Sequence, residues 1–154
     1  MRLAYFQMID TISTLDCENG LVEAIANVPS ESTIFEGHFP GMPLLPGVLL
    51  IETMAQASGY LLLASRKFEA MPFLAAVKDV KLRTFVEPNT KLTVTATLEH
   101  AGSGFDVTKA EIKSDGKRIC NAQLTFRSMP FPEESLKQEM LSRFDEIYPA
   151  GLPS

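Results

Sequence analysis

The sequence predicts an α+β fold, one long helix laid on a curved antiparallel sheet. Three observations predict it. The run VLLIETMAQASGYLLLA, Val48 to Ala64, is apolar on every side, the pattern of a helix buried all round. Six further segments read as short apolar or alternating runs, the pattern of strands. The pairs Asn19-Gly20 and Asp115-Gly116 lie between such runs and signal tight hairpins.

Taken in chain order, the first strands are expected at about Tyr5 to Leu15 and Leu21 to Val28, joined through Asn19-Gly20. A Gly/Pro loop precedes the helix. Pro40, Pro43 and Pro46 fix φ and disfavour helix just before each ring, while Gly37, Gly41 and Gly47 allow turns and close backbone approach, so this loop should be short, irregular and rigid. After the helix, strands are expected at Phe73 to Phe85, Lys91 to Glu99, Asp106 to Ser114 and Arg118 to Arg127. A second helix is expected from Glu133 to Ile147, with Leu136, Met140, Phe144 and Ile147 on one face that packs on the domain. The chain then divides into a domain at 1–129 and a helical extension at 130–154 packed on that same domain.

With 154 residues, 45% of them hydrophobic, the chain has the size and core of a single domain, and no internal repeat is visible. The net charge of −5 argues against nucleic acid as a partner, because phosphate binding needs a basic surface. Cys17 and Cys120 make no disulfide framework and no metal pattern, so no metal is expected and a reducing cytoplasm is the expected location. MRLAYFQMID carries Asp10 and lacks a long apolar stretch, which argues against a signal peptide. The long helix approaches membrane length, yet Glu52 and Gln56 make insertion unfavourable, and it is expected to be a core helix without a membrane span.

The chemistry concentrates in GHFPGMPLLPGVLLIE, Gly37 to Glu52. His38, one of two histidines, sits in the rigid loop, and Glu52 is the single charge of the apolar helix. Such a backbone can hold an imidazole and a carboxyl group in fixed relation, so the two read as an acid/base pair. A carboxyl group among apolar residues is held most cheaply in its neutral, proton-donating form. Gln56 lies one turn on, where it can hydrogen-bond and orient Glu52. Gly47 and Val48 open the helix, and their unpaired amides can polarise a carbonyl oxygen that is becoming an enolate. Base, acid and oxyanion donor together serve proton abstraction beside a carbonyl with departure of a β-substituent. His100, beside a Gly-rich turn, has no such partner and reads as surface.

The segment GHFPGMPLLPGVLLIETMAQ resembles the signature of the 3-hydroxyacyl-[acyl-carrier-protein] dehydratases, FabZ/FabA-like enzymes of type II fatty acid synthesis. Its pattern is met by His38-Phe39-Pro40-Gly41, by Pro46-Gly47-Val48, and by Glu52 with Ala55-Gln56 following. Glu at the acidic position matches the plain dehydratase branch, since the branch that also isomerises usually has Asp there. Similarity is traceable from about Phe6 to Phe126. The resemblance implies a hotdog fold and dehydration of a (3R)-3-hydroxyacyl thioester to the trans-2-enoyl product. It further implies His38 as base, Glu52 as acid and the Gly47 amide as thioester contact. No cofactor of the enzyme's own is implied, the substrate being carried on the phosphopantetheine of acyl carrier protein. A homodimer or trimer of dimers is implied too, with each site shared between subunits. Phe35, Phe39 and Met54 read as core or tunnel wall. Lys78, Lys81 and Arg83 read as carrier docking or as ordinary solvated charges. Two departures stand out, Lys81-Leu82 for the usual Arg-Phe and Asn89-Thr90 for the usual Gly-Asp. A hotdog thioesterase and a non-catalytic assembly subunit remain as alternatives.

Overall fold

Alternating apolar residues draw six segments into one antiparallel sheet. In the computed structural model, which describes residues 1–153, these are β1 (Thr11–Asp16), β2 (Leu21–Asn27), β3 (Met71–Leu82), β4 (Lys91–Ala101), β5 (Phe105–Ser114) and β6 (Lys117–Met129). Their order across the sheet is β1-β2-β4-β5-β6-β3. Three helices accompany them, α1 (Thr33–Gly37), α2 (Gly47–Ser65) and α3 (Glu134–Ile147). Ser154, the end of the expected extension, lies outside the described residues.

Strands β2 to β6 all meet α2, β2 and β4 with their inward sets. Val22, Ala24 and Ala26 of β2 and Leu92, Val94 and Ala96 of β4 are all fully buried, and so are Met54, Ala57 and Leu61 of the helix. Small Ala side chains let the sheet curve closely round the helix, which is the long-helix-on-sheet arrangement expected above. Two buried hydroxyls, Ser58 Oγ and Thr108 Oγ1, pair at 2.9 Å across that interface, so neither is stranded in the core. At the far end of α2, Arg66 clamps the buried Asp106 with two contacts, 2.6 and 2.7 Å. Helix α2 is long and apolar enough to cross a membrane, but 67% of its apolar window is buried in the protein, so it is a core helix.

Several local outcomes differ from expectation. The first strand begins at Thr11 instead of Tyr5, because Leu3–Tyr5 forms a 3-10 turn and Phe6 adopts a left-handed φ of 57°. That turn is closed by the Arg2 N–H donating to the Gln7 carbonyl at 2.7 Å, and it delivers Met8 and Ile9 into the core. The segment before the Gly/Pro loop forms the short helix α1, capped by Ser32, whose Oγ accepts from the Ile34 N–H at 3.3 Å. At the turn into β4, Asn89 takes φ 64°, a conformation that Asn tolerates because its short polar side chain is at ease in that region.

Helix α3 returns across the open end of α2. Phe144 is fully buried and packs edge-on against Phe68, with ring centroids 5.4 Å apart, and against Tyr60 at 6.1 Å. Arg143 Nη2 ties the helix to the Ile9 carbonyl at 2.6 Å. The two sheet edges are unlike. Strand β1 is 6 residues long, whereas β3 runs for 12 with one neighbour, and it leaves Phe73, Leu74, Val80 and Leu82 exposed.

Candidate active site

His38 ends α1 and is held by three bonds within its own loop. Its N–H donates to the Ile34 carbonyl at 3.0 Å, its carbonyl accepts from the Leu44 N–H at 2.9 Å, and ring Nδ1 lies 3.0 Å from the Leu44 carbonyl. A carbonyl oxygen can only accept, so Nδ1 carries the proton. Nε2 is thereby left with its lone pair, able to take a proton from a substrate. The ring also stacks on Phe39, centroids 4.0 Å apart. The Leu45 N–H donates to the Val86 carbonyl at 2.8 Å, which fastens the loop to the body of the domain. The rigidity expected of the Gly/Pro segment is thus carried by backbone bonds as well as by proline rings.

The loop hands directly into α2. Pro46 precedes the helix with φ −57° and ψ 135°, and the Leu49 N–H turns back to the Pro46 carbonyl at 2.9 Å. The amides of Gly47 and Val48 therefore stand at a helix N-terminus with the positive end of the macrodipole behind them. Leu82, one of the two departures noted above, packs on this point, and a Cβ added to Gly47 would lie 2.6 Å from Leu82 Cδ1.

Glu52 is half-buried, one and a half turns further along α2. Gln56 Nε2 donates to Glu52 Oε1 at 2.9 Å and to the Phe6 carbonyl at 2.7 Å. Its Oε1 accepts from the Met8 N–H at 2.9 Å. One amide side chain thus orients the carboxyl group and pins the N-terminal arm beside it. Glu52 lines a cavity of about 390 Å³ that runs along α2 past Gly59 and Tyr60 to Leu63. The arm (Tyr5 to Gln7), the start of β3 (Met71, Leu74), Phe126 of β6 and one face of α3, from Leu136 to Arg143, form the other walls. Tyr60 hydrogen-bonds Arg143, and burial of its phenol, only partly offset by that guanidinium, holds the group above its ordinary range and therefore neutral.

The single chain does not bring His38 and Glu52 together. Neither hydrogen-bonds the other, and His38 does not line the cavity that Glu52 lines. Met54 is fully buried in the core, and Phe35 is 6% exposed there. Phe39 is exposed, and with Phe35 it borders a separate groove beside the His38 loop. Lys78 and Lys81 are exposed on β3, flanking a bulge at Asp79, and Arg83 Nη2 reaches Asn121 Oδ1 at 2.8 Å. Sequence reasoning missed the cavity's walls. The stripe on α3 was visible, but only Phe144 and Ile147 are buried as packing residues, while Leu136 and Met140 face the cavity.

The FabA-like domain model matches residues 2–123. A 3-hydroxyacyl-[acyl-carrier-protein] dehydratase FabZ of Lactobacillus helveticus is 37% identical over 111 residues, which is 71% of this chain and 74% of the relative. One from Latilactobacillus sakei is 41% identical over 65% of this chain and 72% of its own. One from Clostridium botulinum is 32% identical over 79% and 87%. Among solved structures, a conserved protein of Pseudomonas aeruginosa superposes with a TM-score of 0.65 at 20% identity, covering 82% of this chain and 94% of its own. A hypothetical thioesterase of Streptococcus pneumoniae with coenzyme A gives 0.60 at 18%, covering 77% and 87%. At such identities these structures speak for the hotdog fold alone.

Proposed function

The chain belongs to the FabA-like dehydratase family, and on that premise we propose that it removes water from a (3R)-3-hydroxyacyl-[acyl-carrier-protein] to give the trans-2-enoyl thioester, in fatty acid or related lipid biosynthesis. It is a lyase. His38 Nε2 takes the proton from Cα, and the electron pair released forms the Cα=Cβ bond. The hydroxyl leaves Cβ with a proton from Glu52, as water. The Gly47 and Val48 amides hold the thioester oxygen while it gains enolate character. The enzyme needs no cofactor of its own, the substrate arriving on the phosphopantetheine of an acyl carrier protein in the cytoplasm.

The observation that carries this reading is the bond from His38 Nδ1–H to the Leu44 carbonyl at 3.0 Å, inside the matched motif, because it leaves Nε2 as the base. The separation of His38 from the Glu52 cavity, and the long β3 edge with its exposed Phe73 and Val80, support a homodimer in which the base of one copy serves the acid of the other. The functional test uses 3-hydroxyacyl and saturated acyl carrier thioesters, following enoyl absorbance and free thiol. Enoyl product without thiol release is expected. Thiol release from the saturated thioester would make the protein a thioesterase, and neither signal would make it a binding subunit.

A further inference from the structure

We propose that α3 sets the acyl chain length this enzyme accepts, with Leu136 and Met140 forming the wall against which the outer methylenes pack. The inference rests on the dehydratase reading and goes beyond it, because α3 lies past residue 123, where the family match ends. Three observations carry it. The cavity that Glu52 lines continues along α2 to Leu63, a span of about 16 Å at the helical rise, so it leads from the acid away from the reacting carbons. Its volume of about 390 Å³ falls within the roughly 300–1,000 Å³ of small-ligand sites. One side of its surface combines Leu63, Leu74 and Phe126 with Leu136 and Met140, which suits a hydrocarbon chain.

The same cavity has a polar flank. Arg143 and Glu139 of α3 also line it, and Arg143 is already committed to the Ile9 carbonyl at 2.6 Å and to Glu146 at 3.0 Å. A hydrocarbon chain pressed on this flank would have to desolvate or displace a guanidinium that anchors α3, so the chain is directed to the apolar wall. Along Leu136 and Met140, by contrast, the wall offers methylenes an apolar surface. Phe144, one residue further, is buried against Phe68 and Tyr60 and keeps the helix from swinging aside.

The test compares short and long substrates on the full-length protein. The ratio of kcat/KM for hydroxydodecanoyl- over hydroxybutyryl-pantetheine is measured for wild type, Leu136→Trp, Met140→Ala and Gln138→Trp. Leu136→Trp fills the cavity and should lower the ratio by about tenfold or more, the scale on which hydrophobic pockets discriminate single methylenes. Met140→Ala enlarges the cavity and should raise the ratio, and Gln138→Trp, on the exposed side of the helix, should leave it at the wild-type value. An unchanged ratio in the first two variants, or an equal loss at both chain lengths, overturns the proposal. Affinity for saturated dodecanoyl- and butyryl-pantetheine is measured in parallel. A wild type that binds the long thioester tightly, loses that preference in Leu136→Trp and forms no enoyl product would sustain the wall while refuting the dehydratase reading.

Discussion

His38 is fixed by a bond to Leu44, six residues on, whereas Gln56, which orients Glu52, reaches the Phe6 carbonyl across 50 residues of sequence. The first half of the candidate site is a local object, a loop stiffened by proline and by its own backbone bonds. The second half is assembled from the N-terminal arm, α2, the start of β3, β6 and α3. Each half holds one of the two proposed proton-transfer groups. The difference teaches that the proposed base is built in wherever the motif folds, while the proposed acid depends on the whole domain closing round it.

The largest expected effect lies where the halves must cooperate. His38→Ala and Glu52→Gln should each lower kcat by about 10²- to 10⁴-fold with the circular dichroism spectrum retained, and near-normal turnover by either folded variant would remove it from the mechanism. A smaller effect separates the halves. Gln56→Leu strips the partners from Glu52, Phe6 and Met8 at once, so urea unfolding should show a loss of about 1–3 kcal/mol while the His38 loop keeps its own bonds. If stability is unchanged, the arm is held by something other than this clamp.

Weaker still are the surface charges. Charge reversal at Lys78 or Lys81 should raise KM for carrier-bound substrate by roughly two- to fivefold, the scale of an exposed ion pair, and spare a pantetheine analogue. Equal effects on both substrates would place these lysines outside carrier docking. The smallest expected response is that of Cys120. Burial pushes its thiol up to about 12, so below that pH it stays protonated and unreactive, whereas Cys17 is half-exposed. Iodoacetamide near neutral pH should label Cys17 in the native protein and Cys120 after denaturation. Native labelling of Cys120 would mean that the sheet beneath α2 opens readily.

What could be read in advance follows the same division. The long helix and the turns at Asn19-Gly20 and Asp115-Gly116 are set by neighbours in sequence, and the helix bounds and the strand ends that flank those turns differ from expectation by one residue at most. Tyr5 to Gln7 looked like the start of a strand because its residues suit one. The left-handed Phe6 and the Arg2–Gln7 bond close it into a turn, and the Gln56 clamp, a tertiary contact, makes that turn a cavity wall. The stripe of Leu136, Met140, Phe144 and Ile147 was plain as periodicity, but periodicity says that a face is covered, not by what. Arg143 reaching Ile9 across 134 residues has no local signature at all.

The central claim, that base and acid meet only across two copies, is tested most directly by subunit mixing. His38→Ala and Glu52→Gln chains are unfolded together, refolded and assayed. In a shared site the mixed dimer carries one site with both lesions and one with neither, so random pairing should restore about a quarter of wild-type activity. If no activity returns although heterodimers are shown to form, His38 and Glu52 act within one chain and the shared site is contradicted.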